Sequence, residues 1–337
     1  MKAMLMTAPG GPEVLQPAEL PIPEPGASDL LVRVHAAGIN PLDTKVRRHH
    51  MFHPTSLPAI LGCDGAGIVE AVGARVARFN PGDAVYFFNN GLGAAPGSYA
   101  EYTLVDENYA ARKPARLSMV EAAAVPLVLI TAWEALVDRV RLGPGETVLV
   151  HAGAGGVGHV AVQLARHLGA RVAATVSGPD KAELARSLGA ELVIDYKTAD
   201  FVQQTLDWTG GAGADVVFDT VGGATFARSF PAVRLYGRLA TLMSTPCDMA
   251  QVNMARMRNL VVGYEQMSTP LLLGHAGLRR VQTRILEQGA GLFDDSRLKV
   301  VVSKVLPLAR IAEAHRLVED GHVTGKVVVE IAGGAGA

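Results

Sequence analysis

The sequence predicts an α/β protein in two parts: a doubly wound parallel sheet, and a smaller, mostly-β domain whose chain leads into that sheet and returns from it. Three observations carry the prediction. Short β-prone runs broken by Gly, Pro, Asn and Asp fill the first third of the chain. From about Val120, strands and helices alternate at regular spacing, the pattern of a parallel sheet covered on both faces. Past about Asp295 the strand-rich texture returns. The domains therefore read as 1–120 with 296–337, and 121–295.

Taken in order, "DLLVRVHAAGI", "GAGIVEAVG", "DAVYFF" and "SYAEYTLV" are the strands of the first domain, antiparallel or barrel-like. "PLDTKVRR" is its early helix, with Pro41 in the first turn, where the missing N–H has no intrahelical partner to lose. In the middle, "ETVLVHAG" reads as a buried strand. "VGHVAVQLARHLG" then sets Val157, Val160, Ala161, Leu164, Ala165 and Leu168 on one helical stripe stopped by Gly169. "ARVAATV" is the next strand, "PDKAELARSLG" a helix from Pro179 to Gly189, and "AELVIDY" a third strand. "ADFVQQTLDW", "ADVVFDTV", "ATFARSF", "GRLATLM" and "LVVGYEQ" continue the alternation to about Gln266. "GLRRVQTRILEQG" is a further helix. "LKVVVSKVL" and "GKVVVEI" are strands around the helix "ARIAEAHRLVEDG". No repeat of solenoid period occurs.

The totals narrow the function classes. A chain of 337 residues is long for one core. With 49% hydrophobic and 19% charged residues it fits a well-buried globular enzyme. Lys plus Arg total 31 against 32 acids, so no basic excess points to nucleic acid, and any cationic site must be local. The two cysteines, Cys63 and Cys247, far apart in sequence, argue against a disulfide framework, exclude a four-cysteine zinc lobe, and favour a reducing, cytoplasmic setting. The opening "MKAMLMTAPGG" does not read as a signal peptide, and no run reaches the roughly 18 apolar residues of a membrane span.

Gly153-x-Gly155-x-x-Gly158 in "HAGAGGVGHV" follows a strand and opens a helix. Glycines there permit a tight turn and close backbone approach, so that a pyrophosphate meets N–H groups and the positive end of the helix. The turn Gly153, Ala154, Gly155, Gly156, Val157 and Gly158 is thus the expected cofactor cradle of a Rossmann-type sheet. A carboxylate on the ribose 2′-hydroxyl would end the second strand. Ser177 stands there instead, with Lys181 one helical turn beyond and Tyr196 ending the third strand. A cation favours a 2′-phosphate, so NADPH is expected over NADH, Asp180 being the dissenting neighbour.

The order of these segments resembles the medium-chain dehydrogenase/reductase superfamily, most of all its zinc-free quinone oxidoreductase branch, which includes zeta-crystallin. The resemblance rests on "AGINPLDTKVR", "GCDGAGIVEAVG", "PGDAVY", "GSYAEY", "ITAWEAL", "HAGAGGVG", "SLGAELVIDY" and "TGKVVVEI" and spans nearly the whole chain. It implies a GroES-like catalytic domain, a nucleotide-binding domain and a cofactor in the cleft between them. It also implies Asn40 near the nicotinamide, orienting the ring or a substrate carbonyl. Thr131 falls at the nicotinamide end, and Val221, Leu242 and Met243 at the crevice after the fourth and fifth strands. Relatives often carry tyrosines around Lys45 and Met51; neither is Tyr here, which loosens the substrate assignment. Tyr264 and Gln266, after the sixth strand, lie toward substrate or a partner subunit, since relatives are often dimers through that sheet edge.

In the zinc alcohol dehydrogenases that the chain resembles more distantly, the triplet Gly62-Cys63-Asp64 reads Gly-His-Glu and the region of Asn40 carries a cysteine ligand. An amide is a poor zinc ligand, and His49 and His53 in "RRHHMFH" are the weak candidates for a third partner, so no metal is expected. Without a Lewis acid, hydride delivery suits acceptors that are already electrophilic: quinones, or carbon–carbon double bonds conjugated to a carbonyl. An NADPH-dependent quinone or enone reductase, as a homodimer, is the expectation. A zinc alcohol dehydrogenase using Cys63 and Asp64, or an NADPH-binding protein without turnover, are the alternatives. Met243, Met249, Met254, Met257 and Met267 read as core filling, Arg279 and Arg280 as a solvated helix face, and Lys326 as a strand-edge lysine or one reaching the cleft.

Overall fold

The computed structural model describes residues 1–49, His49 by its backbone alone, 57–92 and 95–331. Contacts divide the chain into two compact units. Met1–Leu127, Ser268–Ser296 and Val300–Ala337 form the first, and Val128–Met267 with Arg297–Lys299 the second.

The first unit is built on a seven-stranded sheet. Its order is Val302–Pro307, Lys326–Glu330, Asp29–Ile39, Asp64–Val72, Ala84–Phe88 and Ala110–Arg112, with Tyr102–Asp106 also paired to Asp29–Ile39. All pairs are antiparallel except the first, whose strands are joined through the helix Ile311–Glu319. The 11-residue strand Asp29–Ile39 serves three neighbours, and its register shifts against Asp64–Val72 let it bend from one to the next. Leu30, Val32, Val69, Val85, Phe87 and Val105 alternate inward from these strands to make one core. A three-stranded sheet, Leu15–Glu19, Lys2–Met6 and Ala59–Ile60, completes the unit. The helix Ala276–Asp294 also belongs here: the Tyr86 hydroxyl donates to the Leu286 carbonyl at 2.5 Å. The sequence reading ran the middle domain to residue 295 and so grouped this helix with the second sheet.

The second unit holds six strands, all parallel, in the order Leu192–Asp195, Arg171–Val176, Thr147–Val150, Ala214–Asp219, Val233–Thr241 and Val261–Tyr264. Numbered along the sequence this is 3-2-1-4-5-6, so the chain reverses direction across the sheet beside its first strand. Of the stripe read from the sequence, Val160, Ala161, Leu164 and Ala165 of the helix Gly158–His167 are fully buried, while Val157 and Leu168 are its half-buried caps. The helix Pro126–Trp133 carries the chain from one unit into the other and was not foreseen. It is apolar all round, so it lacks the one-sided stripe that reveals a surface helix. Among the described residues no helix is long and apolar enough to cross a membrane.

Three side-chain expectations change. Arg279 is not on a solvated face: its guanidinium lies 3.5 Å from the centre of the Tyr109 ring and donates to Asn89, while Arg280 is exposed. Met249, Met254 and Met257 are exposed rather than core, on a helix with no buried residue; Met243 is half-buried and Met267 buried. Lys326 is not a solvated edge residue, since its strand lies inside the sheet and only 3% of the residue is exposed.

Candidate functional site

In the second unit the glycine turn links the strand Thr147–Val150 to the helix Gly158–His167. A Cβ on Gly158 would stand 2.1 Å from the Ala152 carbonyl oxygen, and one on Gly153 2.6 Å from the Ala174 Cβ, so both positions exclude a side chain. Ala152 itself takes φ +50° to start the turn. Gly153 N–H donates to the Thr175 carbonyl (2.9 Å) and Gly155 N–H to the Ala152 carbonyl (2.8 Å). No side chain caps the helix at Val157. The amides of Gly156, Val157 and Gly158 have no acceptor among the described residues, which leaves a row of N–H donors at the positive end of a helix.

Around this turn the neighbouring strands deliver the other expected residues. Ser177 follows Arg171–Val176 and is half-buried. Tyr196 follows Leu192–Asp195, is 52% exposed, and its N–H reaches the Val176 carbonyl at 3.2 Å, which brings the two strand ends together. Lys181, half-buried on the helix Pro179–Ser187, has its ammonium pKa lowered by burial and then by the like charge of Lys197. On the far side of the turn, Asp219 accepts from Val221 N–H and Gly222 N–H (3.0 Å each) and from the Thr241 hydroxyl (2.8 Å). That carboxylate ties the ends of the fourth and fifth strands and brings Gly222 against Met243, while Val221 is exposed. Leu242, Met243 and Tyr264 line one cavity of about 430 Å³ with Thr245, Glu265 and Gln266. Thr131 is buried on the helix Pro126–Trp133. These positions fit a dinucleotide, with the diphosphate at the glycine turn and a charged ribose end at Lys181.

In the first unit Asn40 is fully buried just before the helix Pro41–His49. Its N–H donates to Asp43 Oδ2 (2.8 Å), and its carbonyl accepts from Asp43 N–H (3.0 Å), the geometry of a helix start. Its side-chain amide is committed inward at both ends: Nδ2 donates to Asp64 Oδ2 (2.9 Å), and Oδ1 accepts from the Lys326 ammonium. Asp64 Oδ1 accepts from Leu127 N–H (2.9 Å). Burial raises the Asp64 carboxyl to about 7 against the pull of Lys326 and Asn40. Burial likewise raises Asp43 to about 6. The Cys63 thiol is pushed up by burial and by both aspartates, and stays protonated. Gly62 shapes this turn: it adopts φ +97°, and a Cβ there would touch the Tyr99 ring at 2.5 Å. The Tyr99 hydroxyl bonds His315 Nε2 at 3.1 Å, and His315 Nδ1 meets the fully buried Arg47 at 3.3 Å. Lys45 is exposed on the same helix. Met51 and His53 lie outside the described residues, as does the side chain of His49.

Two family models match the chain, the alcohol dehydrogenase GroES-like domain over residues 26–115 and the zinc-binding dehydrogenase over residues 188–329. The quinone oxidoreductase of Pseudomonas aeruginosa is 34% identical, over 97% of this chain and 99% of that protein. The chain belongs to the quinone oxidoreductase branch of the medium-chain dehydrogenase/reductase superfamily. The NADPH-dependent alkenal/one oxidoreductase of Arabidopsis thaliana is 35% identical over 98% of this chain and 79% of that protein. The crystal structure of Escherichia coli quinone oxidoreductase complexed with NADPH superposes with a TM-score of 0.86 at 31% identity, covering 98% of this chain and all of that one.

One of these family descriptions names zinc, and the residues present do not fit it. Lys326 Nζ stands 3.8 Å from Asp64 Oδ2, so a lysine side chain already fills the space beside that carboxyl; burial lowers its ammonium pKa, against the upward pull of Asp64 and Asp43. Among the described residues, no three of His, Cys, Asp and Glu gather to hold a metal ion.

Sequence reasoning missed four contributors. Lys197, the second cation beside Lys181, was findable as the residue after Tyr196. Asp219 was findable as a strand-ending acid before Gly222 and Gly223. The Tyr99–His315–Arg47 assembly and the inward turn of Lys326 depend on partners scattered over the chain, and no local pattern announces them. His151 is a further buried polar residue, bonded to Thr175 Oγ1 (3.2 Å) and Ser229 Oγ (2.9 Å). Burial lowers its pKa to about 4, so it is a neutral strut beneath the turn rather than a base.

Proposed function

We propose that this chain is an NADPH-dependent, zinc-independent reductase of quinones or α,β-unsaturated carbonyls. The observation that carries the reading is the open row of amides at the glycine turn with Lys181 and Lys197 beside the adjoining strand ends, where a 2′-phosphate requires cations. Bound NADPH supplies the hydride. The chain's own residues hold and orient: Gly156–Gly158 take the diphosphate, Ser177, Lys181 and Tyr196 the adenosine phosphate, and Thr131, Val221, Leu242 and Met243 the rest of the cofactor. Asn40 belongs to the reaction site, its amide fixed by Asp64 and Lys326. Lys45, Met51 and Tyr264 border the substrate.

With Lys326 in place of a metal, the acceptor must be electrophilic by itself, which favours quinones and enones over alcohols and simple ketones. The relatives named for quinones and for alkenals and enones support that range. The edge strand Val261–Tyr264 exposes Val261 (60%), and the adjacent helix exposes Met257 (82%), a surface suited to a second copy of the chain. The acceptor is a small molecule and the setting cytoplasmic, where Cys63 and Cys247 remain free thiols. The test follows NADPH absorbance against a panel of small quinones and enones, with chelator present. Consumption is expected. NADPH binding without consumption across the panel makes the protein a binder, and activity lost to chelator and restored by zinc reverses the zinc-free reading.

A further inference from the structure

We propose that Lys326 is the positioning residue of the reaction site, an internal cation that locks the Asn40 amide and the Asp64 carboxylate into one orientation. The inference rests on the reading above that Asn40 belongs to that site.

The geometry is built by the sheet. Val327 pairs with Ile39, so the strand Lys326–Glu330 begins beside the residue that precedes the helix Pro41–His49. Lys326 enters the interior at that point. Its ammonium donates to the Ile39 carbonyl (3.1 Å) and to Asn40 Oδ1, and stands 3.8 Å from Asp64 Oδ2. An ammonium has three donors and no acceptor, and here three oxygens surround it. Asp64 accepts through both oxygens, from Asn40 Nδ2 and from Leu127 N–H, and the lysine ammonium only donates, so Lys326 requires the oxygen end of the Asn40 amide. The amide therefore has one orientation. Its backbone N–H is fixed in turn by Asp43, so the lock also sets where the helix Pro41–His49 begins.

Two buried carboxyls, Asp43 and Asp64, crowd this space with Cys63 and Tyr99. The other buried cation among the described residues of the unit, Arg47, is engaged by Glu319 and His315. Lys326 is thus the counter-charge of the cluster. Its neighbours are a carboxylate, an amide oxygen and a main-chain carbonyl, the surroundings that would otherwise attract a bound cation. Without it, Asn40 Oδ1 loses its donor and the amide can turn over, while Asp64 is left buried without a positive partner.

The experiment uses the full chain with Lys326→Met, of similar length without charge, and Lys326→Ala, which leaves room for a small amine. Melting temperature and NADPH affinity are measured beside kcat and KM for p-benzoquinone and a small enone. The expected result for Lys326→Met is NADPH affinity within about threefold of wild type and a kcat lower by about 10- to 100-fold, the size of effect that misplacing a positioned group produces. Lys326→Ala should regain activity with propylammonium chloride and not with tetramethylammonium chloride at equal ionic strength. A kcat within about twofold of wild type in Lys326→Met, or a folded Lys326→Ala that no amine restores, overturns the proposal.

A second reading needs neither variant nor turnover. In isotope-labelled wild-type chain, a lysine ammonium should exchange slowly with water and show a through-space contact to an asparagine side-chain amide. Absence of that signal also overturns the proposal. A wild-type chain that shows the signal yet consumes no NADPH would instead defeat the proposed function and leave the lock standing.

Discussion

Gly158→Ala is the sharpest probe of the nucleotide cradle. The new Cβ would stand 2.1 Å from the Ala152 carbonyl oxygen, 2.8 Å from the carbonyl carbon and 2.9 Å from Gly153 Cα, all backbone atoms. Contacts under 3.0 Å do not persist, so the Ala152 peptide must retreat by about 1 Å. That carbonyl accepts the Gly155 N–H at 2.8 Å, and Ala152 already holds φ +50°, so the turn has little room to comply. Overpacking of this kind costs about 1–3 kcal/mol of stability. Displacing the row of amides by about 1 Å should weaken NADPH by roughly 10- to 100-fold, about 1.4–2.8 kcal/mol. Calorimetry with NADPH and a thermal melt read the two effects. Gly291→Ala is the control, since its Cβ would meet nothing within 4 Å and its helix welcomes alanine. A Gly158→Ala chain that binds NADPH within about threefold of wild type and melts unchanged would refute the cradle.

Removing the cations tests cofactor choice: Lys181→Ala with Lys197→Ala should weaken NADPH by about tenfold or more and leave NADH within about twofold, measured by calorimetry with each cofactor. His151 sets an acid-side limit on stability. Its folded pKa of about 4 lies below the ordinary 6.5, so the unfolded chain binds the extra proton first and stability falls as pH drops through that window. The loss from this one residue is about 3 kcal/mol, and His151→Asn should show a shallower decline in melting temperature from pH 6.5 to pH 4 than wild type. Val261→Lys with Met257→Lys should convert a dimer to a monomer by light scattering, with each subunit still binding NADPH.

Much of the second unit was legible because its signals are local. The glycine spacing, the helix stripe from Val160 to Ala165 and the strand-ending Ser177 and Tyr196 each lie within a few residues of one another, and the fold keeps them so. The first unit was legible as strands but not as chemistry. Its cluster joins Asn40, Asp64, Tyr99, His315 and Lys326, side chains from five separate stretches, and only strand pairing brings them together. A lysine in a β-run reads from sequence as an edge residue, because its burial depends on an Asp and an Asn more than 250 positions earlier. Asn40 shows the same limit from the other side: its proposed place by the reaction site comes from the resemblance, and the sequence does not show that its amide is committed to protein partners on both ends. The helix Pro126–Trp133 escaped notice because uniform apolarity carries no period.

The account depends most on a dinucleotide diphosphate resting on the amides of Gly156, Val157 and Gly158 and a 2′-phosphate resting near Lys181. Calorimetry of the chelator-treated chain with NADPH and with NADH measures this directly. The account predicts one site per chain that binds NADPH in the micromolar range or tighter and at least about tenfold better than NADH. No heat of binding with either cofactor, or NADH bound as tightly as NADPH, would contradict it.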